Sequence, residues 1–338
     1  MVSRGKRSVV LALVVTGLLV SISAPGAVAV ASQPGCPPQA NVLTPDQAQT
    51  AAGSGCEMEG RTIAAGGVGI VVPAPGIGVS ANAIQGDGYD EASLEVVNSG
   101  TGDIEIDTTG QVDAQASIGT APERYLPQAA TLATAARCNY ASTFAESRWW
   151  SQLRTGFRLN NNDRRPSSVG ETAWESLAKG AAGVWSNGSD SCGFSGTPDL
   201  TVTIYPDYSI DANISTSNTC LTRDSVNVID FGSLTSTTLG LTCSWFQTQT
   251  GRDKMLEADT RLDSSGRTWV TSVDPVRCIG QVFDVRSVLT HELGHAIGLG
   301  HAREDGGNDQ TMSPSTSGCN TSARLLGEGD FRSLLLLY

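Results

Sequence analysis

Apolar positions along the chain repeat with two different periods. In ETAWESLAKGAAGVW (171–185), Trp174, Leu177, Ala178, Ala181 and Ala182 fall on one face at helical spacing. The next segments alternate instead: DLTVTIYPD (199–207) and DSVNVIDFG (224–232) predict strands, and GLTCSWFQT (240–248) supplies another. The helical period then returns in VFDVRSVLTHELGHAIG (282–298), with Asp284 available as the N-cap. A helix, several strands and a second helix predict an α+β domain with a mixed sheet.

The residues before this region have a different texture. From 32 to 135 the chain is rich in Gly, Ala, Ser and Thr, with no Trp and only two Tyr. Short runs such as IVV (70–72) and DIEIDTTGQVDAQASI (103–118) predict strands between glycine turns. PQAATLATAARC (127–138) marks the boundary, as a linker or weak helix, and all six tryptophans follow it. At the N-terminus, Arg4, Lys6 and Arg7 precede an apolar run from Val9 to Ile22 and then small residues. This pattern is that of a secretory signal peptide, too short to span a membrane comfortably. The expected organisation is therefore 1–31 signal peptide, 32–136 propeptide or accessory β-rich region, and 137–338 the main globular domain.

Export changes the meaning of the cysteines. All eight lie beyond the signal, and in an oxidising compartment they predict up to four disulfides. Cys36 and Cys56 form a natural local pair; the connectivity of the other six is not readable from their spacing. The chain carries a net charge of −12, and without the three basic signal residues the balance becomes −15. With no basic patch, nucleic acid is not an expected partner, and neither is a membrane. A secreted, extracellular monomer is expected.

Candidate chemistry is concentrated in HELGHAIGLGH (291–301), which holds every histidine of the chain: His291, His295 and His301. On a helix each residue turns about 100°, so His291 and His295 lie about 40° apart and one turn above each other. Val285, Leu289, Leu293, Ala296 and Ile297 form the adjoining apolar arc. Glu292 falls between that arc and the histidines, near an ion held by them but off the ligand row. His301, continued as helix, would lie about 15 Å along the axis from His291. Gly298 and Gly300 allow the positive φ that ends a helix, so a turn can bring His301 back beneath the other two. Three imidazoles with one open position suit a catalytic zinc.

The same residues resemble the metzincin metalloproteases, whose HExxHxxGxxH signature they match at every fixed position. TMSPS supplies Met312 as the methionine of a turn beneath the metal, and the Ser-Pro that follows is similar to the matrixin branch. The end of the chain, EGDFRSLLLLY, resembles the terminal matrixin helix. The resemblance spans roughly 138–338. It implies a twisted, mixed, mostly parallel sheet with an active-site helix and a C-terminal helix. It also implies one catalytic Zn²⁺ on His291, His295 and His301, with Glu292 as general base, Gly298 at the turn and Met312 as a hydrophobic floor. Residues NDQTMSPSTSGC (308–319) would wall the pocket for the side chain after the scissile bond. Two departures stand out. No histidine remains for the structural zinc of animal matrixins, and neither PGCPP at Cys36 nor ARCN at Cys138 matches their cysteine-switch propeptide well.

These features lead to a secreted zinc endopeptidase acting on protein or peptide substrates. The alternative is an exported zinc-retaining binding or surface protein without turnover, which the intact Glu292 argues against. Residues 32–135 as an independent targeting module are compatible with the first. Asp253, Glu257, Asp259 and Asp263 are candidate Ca²⁺ ligands, set against a solvated acidic loop with a strand in EADTRLD. STTLGLTC (236–243) is read either as the edge strand that receives a peptide or as an ordinary sheet strand.

Overall fold

The computed structural model describes residues 35–86, 92–100, 103–108, 136–162, 164–235, 237–274, 278–303 and 310–338. The expected signal peptide, most of the 127–138 boundary segment and the strand expected after Thr108 lie outside these residues.

The N-terminal part opens with β1 (Val42–Leu43) and a helix that hydrophobic periodicity does not announce, α1 (Pro45–Gly53). Its signal is local: Thr44 accepts from the Gln47 N–H while Gln47 reaches back to Thr44, with proline in the first turn. Strands β2 (Thr62–Ala65), β3 (Val68–Val71), β4 (Ile77–Gly86), β5 (Ala92–Asn98) and β6 (Ile104–Asp107) follow, of which β3 and β6 fall on the runs named above.

After the boundary come β7 (Arg148–Trp149), β8 (Arg154–Asn160) and α2 (Glu171–Asn187), which ends at Gly188 in the left-handed conformation. The strands β9 (Thr201–Tyr208), β10 (Thr219–Cys220), β11 (Val228–Gly232), β12 (Thr238–Gln247), β13 (Asp253–Asp263) and β14 (Thr268–Val270) continue the chain. Next are β15 (Val282–Asp284), α3 (Val285–Ala296), β16 (Ser315–Thr316) and α4 (Glu328–Leu337). Asp284 caps α3 by accepting from the Ser287 N–H at 2.8 Å, as its position before the apolar arc predicts.

The architecture is mixed α+β. The main sheet runs β6-β5-β4-β12-β13-β11-β8-β9, with β16 against β4 and β7 against β13. Its two halves differ. From β13 through β11 and β8 to β9 the pairings are parallel, with α2 making the crossover from β8 to β9. From β13 through β12, β4 and β5 to β6 they are antiparallel. The mostly parallel sheet expected from the resemblance thus describes one half; strands from the N-terminal region extend it by hairpin pairing. A smaller sheet, β1-β2-β3-β10, also joins the N-terminal region to a strand beyond residue 137.

Two buried clusters fill the interior. One lies under α2 and α3 and contains Trp174, Trp185, Leu289, Leu293, Met312 and Phe331. The other joins Ile63, Ile70, Val79 and Leu94 of the N-terminal region to Val228, Leu241 and Trp245. Four disulfides are formed: Cys36–Cys56, as the local spacing predicts, and Cys138–Cys192, Cys220–Cys243 and Cys278–Cys319. Among the described residues, no helix is long and apolar enough to cross a membrane.

Candidate metal centre

The histidine segment behaves locally as its spacing requires. α3 carries His291 and His295 one turn apart, while Val285, Leu289, Leu293, Ala296 and Ile297 are all fully buried on the adjoining face. The helix stops after Ala296, and Gly298 turns the chain at φ +100°. Its N–H donates to His295 O, and its own carbonyl accepts from the Glu146 N–H at 2.9 Å. A β-carbon at Gly298 would also collide with the carbonyl oxygen of Arg148, so both conformation and space call for glycine here.

The turn brings the three imidazoles together. His295 Nε2 lies 3.0 Å from His291 Nε2 and 3.1 Å from His301 Nε2. Their exposures are 1, 0 and 2 % in the order His295, His291, His301, so no solvent separates the rings. His291 Nδ1 donates to Thr311 O and His295 Nδ1 to Leu299 O, each at 2.8 Å. A carbonyl accepts only, so in both rings the hydrogen is on Nδ1 and the Nε2 lone pair is bare. Bare nitrogens facing one another at 3 Å in a buried site repel unless a cation lies between them. Ligands about 2.0–2.1 Å from a tetrahedral Zn²⁺ stand roughly 3.3 Å apart, close to the spacing found. The donor set therefore fits the metal. Burial, reinforced by His301, holds His291 and His295 well below the ordinary imidazole value, which keeps both in the ligating form. Among the described residues, His291, His295 and His301 form the group of side chains close enough to share an ion.

Glu292 points the other way, toward the sheet. Its Oε2 accepts from the Thr242 hydroxyl at 2.6 Å and its Oε1 from the Ile84 N–H at 3.3 Å. Gly240 leaves the space: a β-carbon there would stand 2.9 Å from Glu292 Cδ. Burial raises Glu292 to about 8, against the opposing effect of these two hydrogen bonds. Neither Thr242 nor Ile84 is singled out by sequence. Thr242 has only its place in an alternating strand as a signal, and Ile84 contributes a backbone group.

Met312 is fully buried against Gly294 of α3, where any side chain would strike its sulfur and the Trp185 ring. The turn that carries it is held from α4. Asp330 accepts from Thr311 N at 2.6 Å, Met312 N at 3.0 Å and Gly327 N at 2.7 Å. Asp330 thereby steadies the peptide whose carbonyl orients His291, and nothing in EGDFRSLLLLY distinguishes it beforehand. Tyr338 closes the same region by donating to Ile297 O at 2.8 Å.

The acidic residues considered for calcium do not form a solvated loop. All four lie in β13, and Glu257, Asp259 and Asp263 are fully buried. Each is committed to backbone N–H groups. Asp259 accepts from Asn213 and Val228, Asp263 from Leu234 and Ser265, Glu257 from Asp224 and Ser225, and Asp253 from Gln249. They pin separate loops to the sheet instead of converging on one point. β12, read before as either an edge or an inner strand, is an inner strand between β4 and β13.

A buried tris-histidine cluster, two of its members on a helix beneath a mixed sheet and with an adjacent carboxylate, has the form of a metallohydrolase centre. Residues 236–338 match the Peptidase_M10 family model, described as matrixin, and this C-terminal part of the chain is matrixin-like. No curated protein and no solved structure matches the chain.

Proposed function

We propose that the protein is a secreted zinc endopeptidase in which His291, His295 and His301 hold the metal and Glu292 is the general base. The observation that carries this reading is the convergence of three buried histidines, with His295 Nε2 about 3 Å from the Nε2 of each of the other two, one residue from a carboxylate in a matrixin-like segment. When bound, Zn²⁺ supplies Lewis acidity, acidifying water and polarising a peptide carbonyl.

The chain's own groups do the rest. Thr242 fixes one oxygen of Glu292, and Oε1, which accepts from the Ile84 N–H while β4 is in place, takes a proton from the attacking water and passes it to the departing amine. A divalent cation beside Glu292 counteracts the effect of burial and favours the ionised base. Met312 and Asp330 keep the floor and the His291 carbonyl partner in place. Four disulfides are consistent with an oxidising destination, and the signal-like N-terminus supports export. Residues 32–136 are proposed to be a propeptide, because β4 covers the strand beside Glu292.

Glu292→Gln should retain one Zn²⁺ per chain by elemental analysis and lose about 10²–10⁴-fold in casein cleavage. The comparison is made after cutting a specific protease site inserted between residues 109 and 135, removing the N-terminal fragment in urea and refolding the remainder with Zn²⁺. Activity within a few-fold of the parent would remove Glu292 from the mechanism.

A further inference from the structure

Strand β4 lies beside Glu292 as an extended peptide would. It pairs antiparallel with β12, from Ile77 opposite Gln247 to Ile84 opposite Gly240. Its last residues are held on the other side as well: β16 runs parallel to it, with Ser315 opposite Gln85 and Thr316 opposite Gly86. The Gln85 N–H donates to Pro314 O at 3.0 Å and the Gly86 N–H to Thr237 O at 3.1 Å. One residue earlier, the Ile84 N–H meets a side chain. It donates to Glu292 Oε1.

The side chains change company at the same place. Val79, Ala81 and Ala83 pack into the cluster shared with the N-terminal strands, whereas Ile84 enters the cluster beneath α2 and α3. Ser80 and Asn82, on the same strand face as Ile84, bond to each other instead. One aliphatic side chain of the N-terminal region is thus inserted into the matrixin-like core beside the catalytic carboxylate.

We infer that Ala83–Ile84 is a self-cleavage bond, with β4 acting as an internal substrate. The inference rests on the peptidase reading above. In the step, the oxygen of a water molecule bonds to the Ala83 carbonyl carbon and the C–N bond to Ile84 breaks. Glu292 carries one proton of that water to the Ile84 nitrogen, leaving a carboxylic acid at Ala83 and an amine at Ile84, and the acid's proton then passes to the amine to give carboxylate and ammonium. The nitrogen that must receive the proton is the one already hydrogen-bonded to Glu292. The next bond, Ile84–Gln85, does not qualify, because its nitrogen is committed to Pro314 O.

The full chain is loaded with Zn²⁺, incubated at neutral pH beside Glu292→Gln, and analysed by mass spectrometry and N-terminal sequencing. A fragment ending at Ala83 and another beginning at Ile84 are expected, with the Glu292→Gln chain uncut. Cys36–Cys56 lies wholly before this bond and the other three disulfides wholly after it, so the fragments separate on denaturation without reductant. An intact Ala83–Ile84 bond in the zinc-loaded parent overturns the inference. The parent and Ile84→Asp, which places a charge where the aliphatic side chain is buried, are then given a peptide library. Cleavage of the library by either leaves the peptidase reading standing, whereas no cleavage by either, at parental zinc content, removes that reading too.

Discussion

Glu292 and the two histidines of α3 place opposite demands on proton binding in the metal-free chain. Glu292 is raised to about 8 by burial, so the folded state keeps a proton that the unfolded state releases near the ordinary 4.5. Its contribution to stability is present at low pH and is lost as pH rises between those values. His291 and His295 are depressed by burial, so their contribution is present above about 6.5 and is lost as pH falls toward their folded values. Above pH 6.5 the Glu292 effect remains without the opposing one. In chelated protein, melting temperature should therefore fall between pH 6.5 and 8, and Glu292→Gln should reduce that fall. Groups such as Glu95, which burial raises to about 7, titrate in both chains and cancel in the comparison. Equal slopes for the two chains would mean that Glu292 is ionised in the buried site.

At the scale of the element, the decisive feature is a helix that stops. α3 delivers two of the clustered histidines, and the third depends on the reversal at Gly298. Alanine there would have to adopt φ near +100° and push against the Arg148 carbonyl. Strain of this kind costs about 1–3 kcal/mol. Gly298→Ala should lower the urea midpoint by a corresponding amount and weaken zinc binding as His301 moves off the other two rings. A variant with parental zinc affinity would show that the turn tolerates another conformation. α4 contributes at the same scale, since Asp330 holds the Thr311–Met312 backbone from a helix that is adjacent only in the fold.

For the whole molecule, the question is what keeps the two parts of the chain together. The contacts are extensive: the β4–β12 ladder, the β3–β10 pair, a shared apolar cluster, and the buried Arg148 bonded to Glu95 of β5 and to Glu146. None is covalent beyond the main chain, because no disulfide joins residues before 108 to those after 136. A single specific cut between residues 109 and 135 should therefore leave a complex that elutes as one species in native buffer. In urea without reductant it should part into two. Fragments that separate at once in native buffer would show that sheet continuity adds little to the association.

The metal centre was legible before folding because its information is local. Residues four apart on a helix share a face, and glycines three and one positions before His301 allow the reversal, so eleven residues specify three converging histidines and a neighbouring carboxylate. The strands of 199–248, the cap at Asp284 and the Cys36–Cys56 pair were legible for the same reason. Strand partners were not. An alternating run specifies which face is buried, but hydrogen-bonding groups on both edges are the same for every neighbour. The Gly/Ala/Ser texture of β4 names no partner, and only the tertiary structure sets it between β12 and β5, with Ile84 against Glu292. The carboxylates of β13 follow the same logic. Their sequence reads as acidic and solvated, and the fold buries them because distant loops supply the N–H groups that satisfy them. Periodicity within a segment decided what the site contains, and packing between distant segments decided what lies over it.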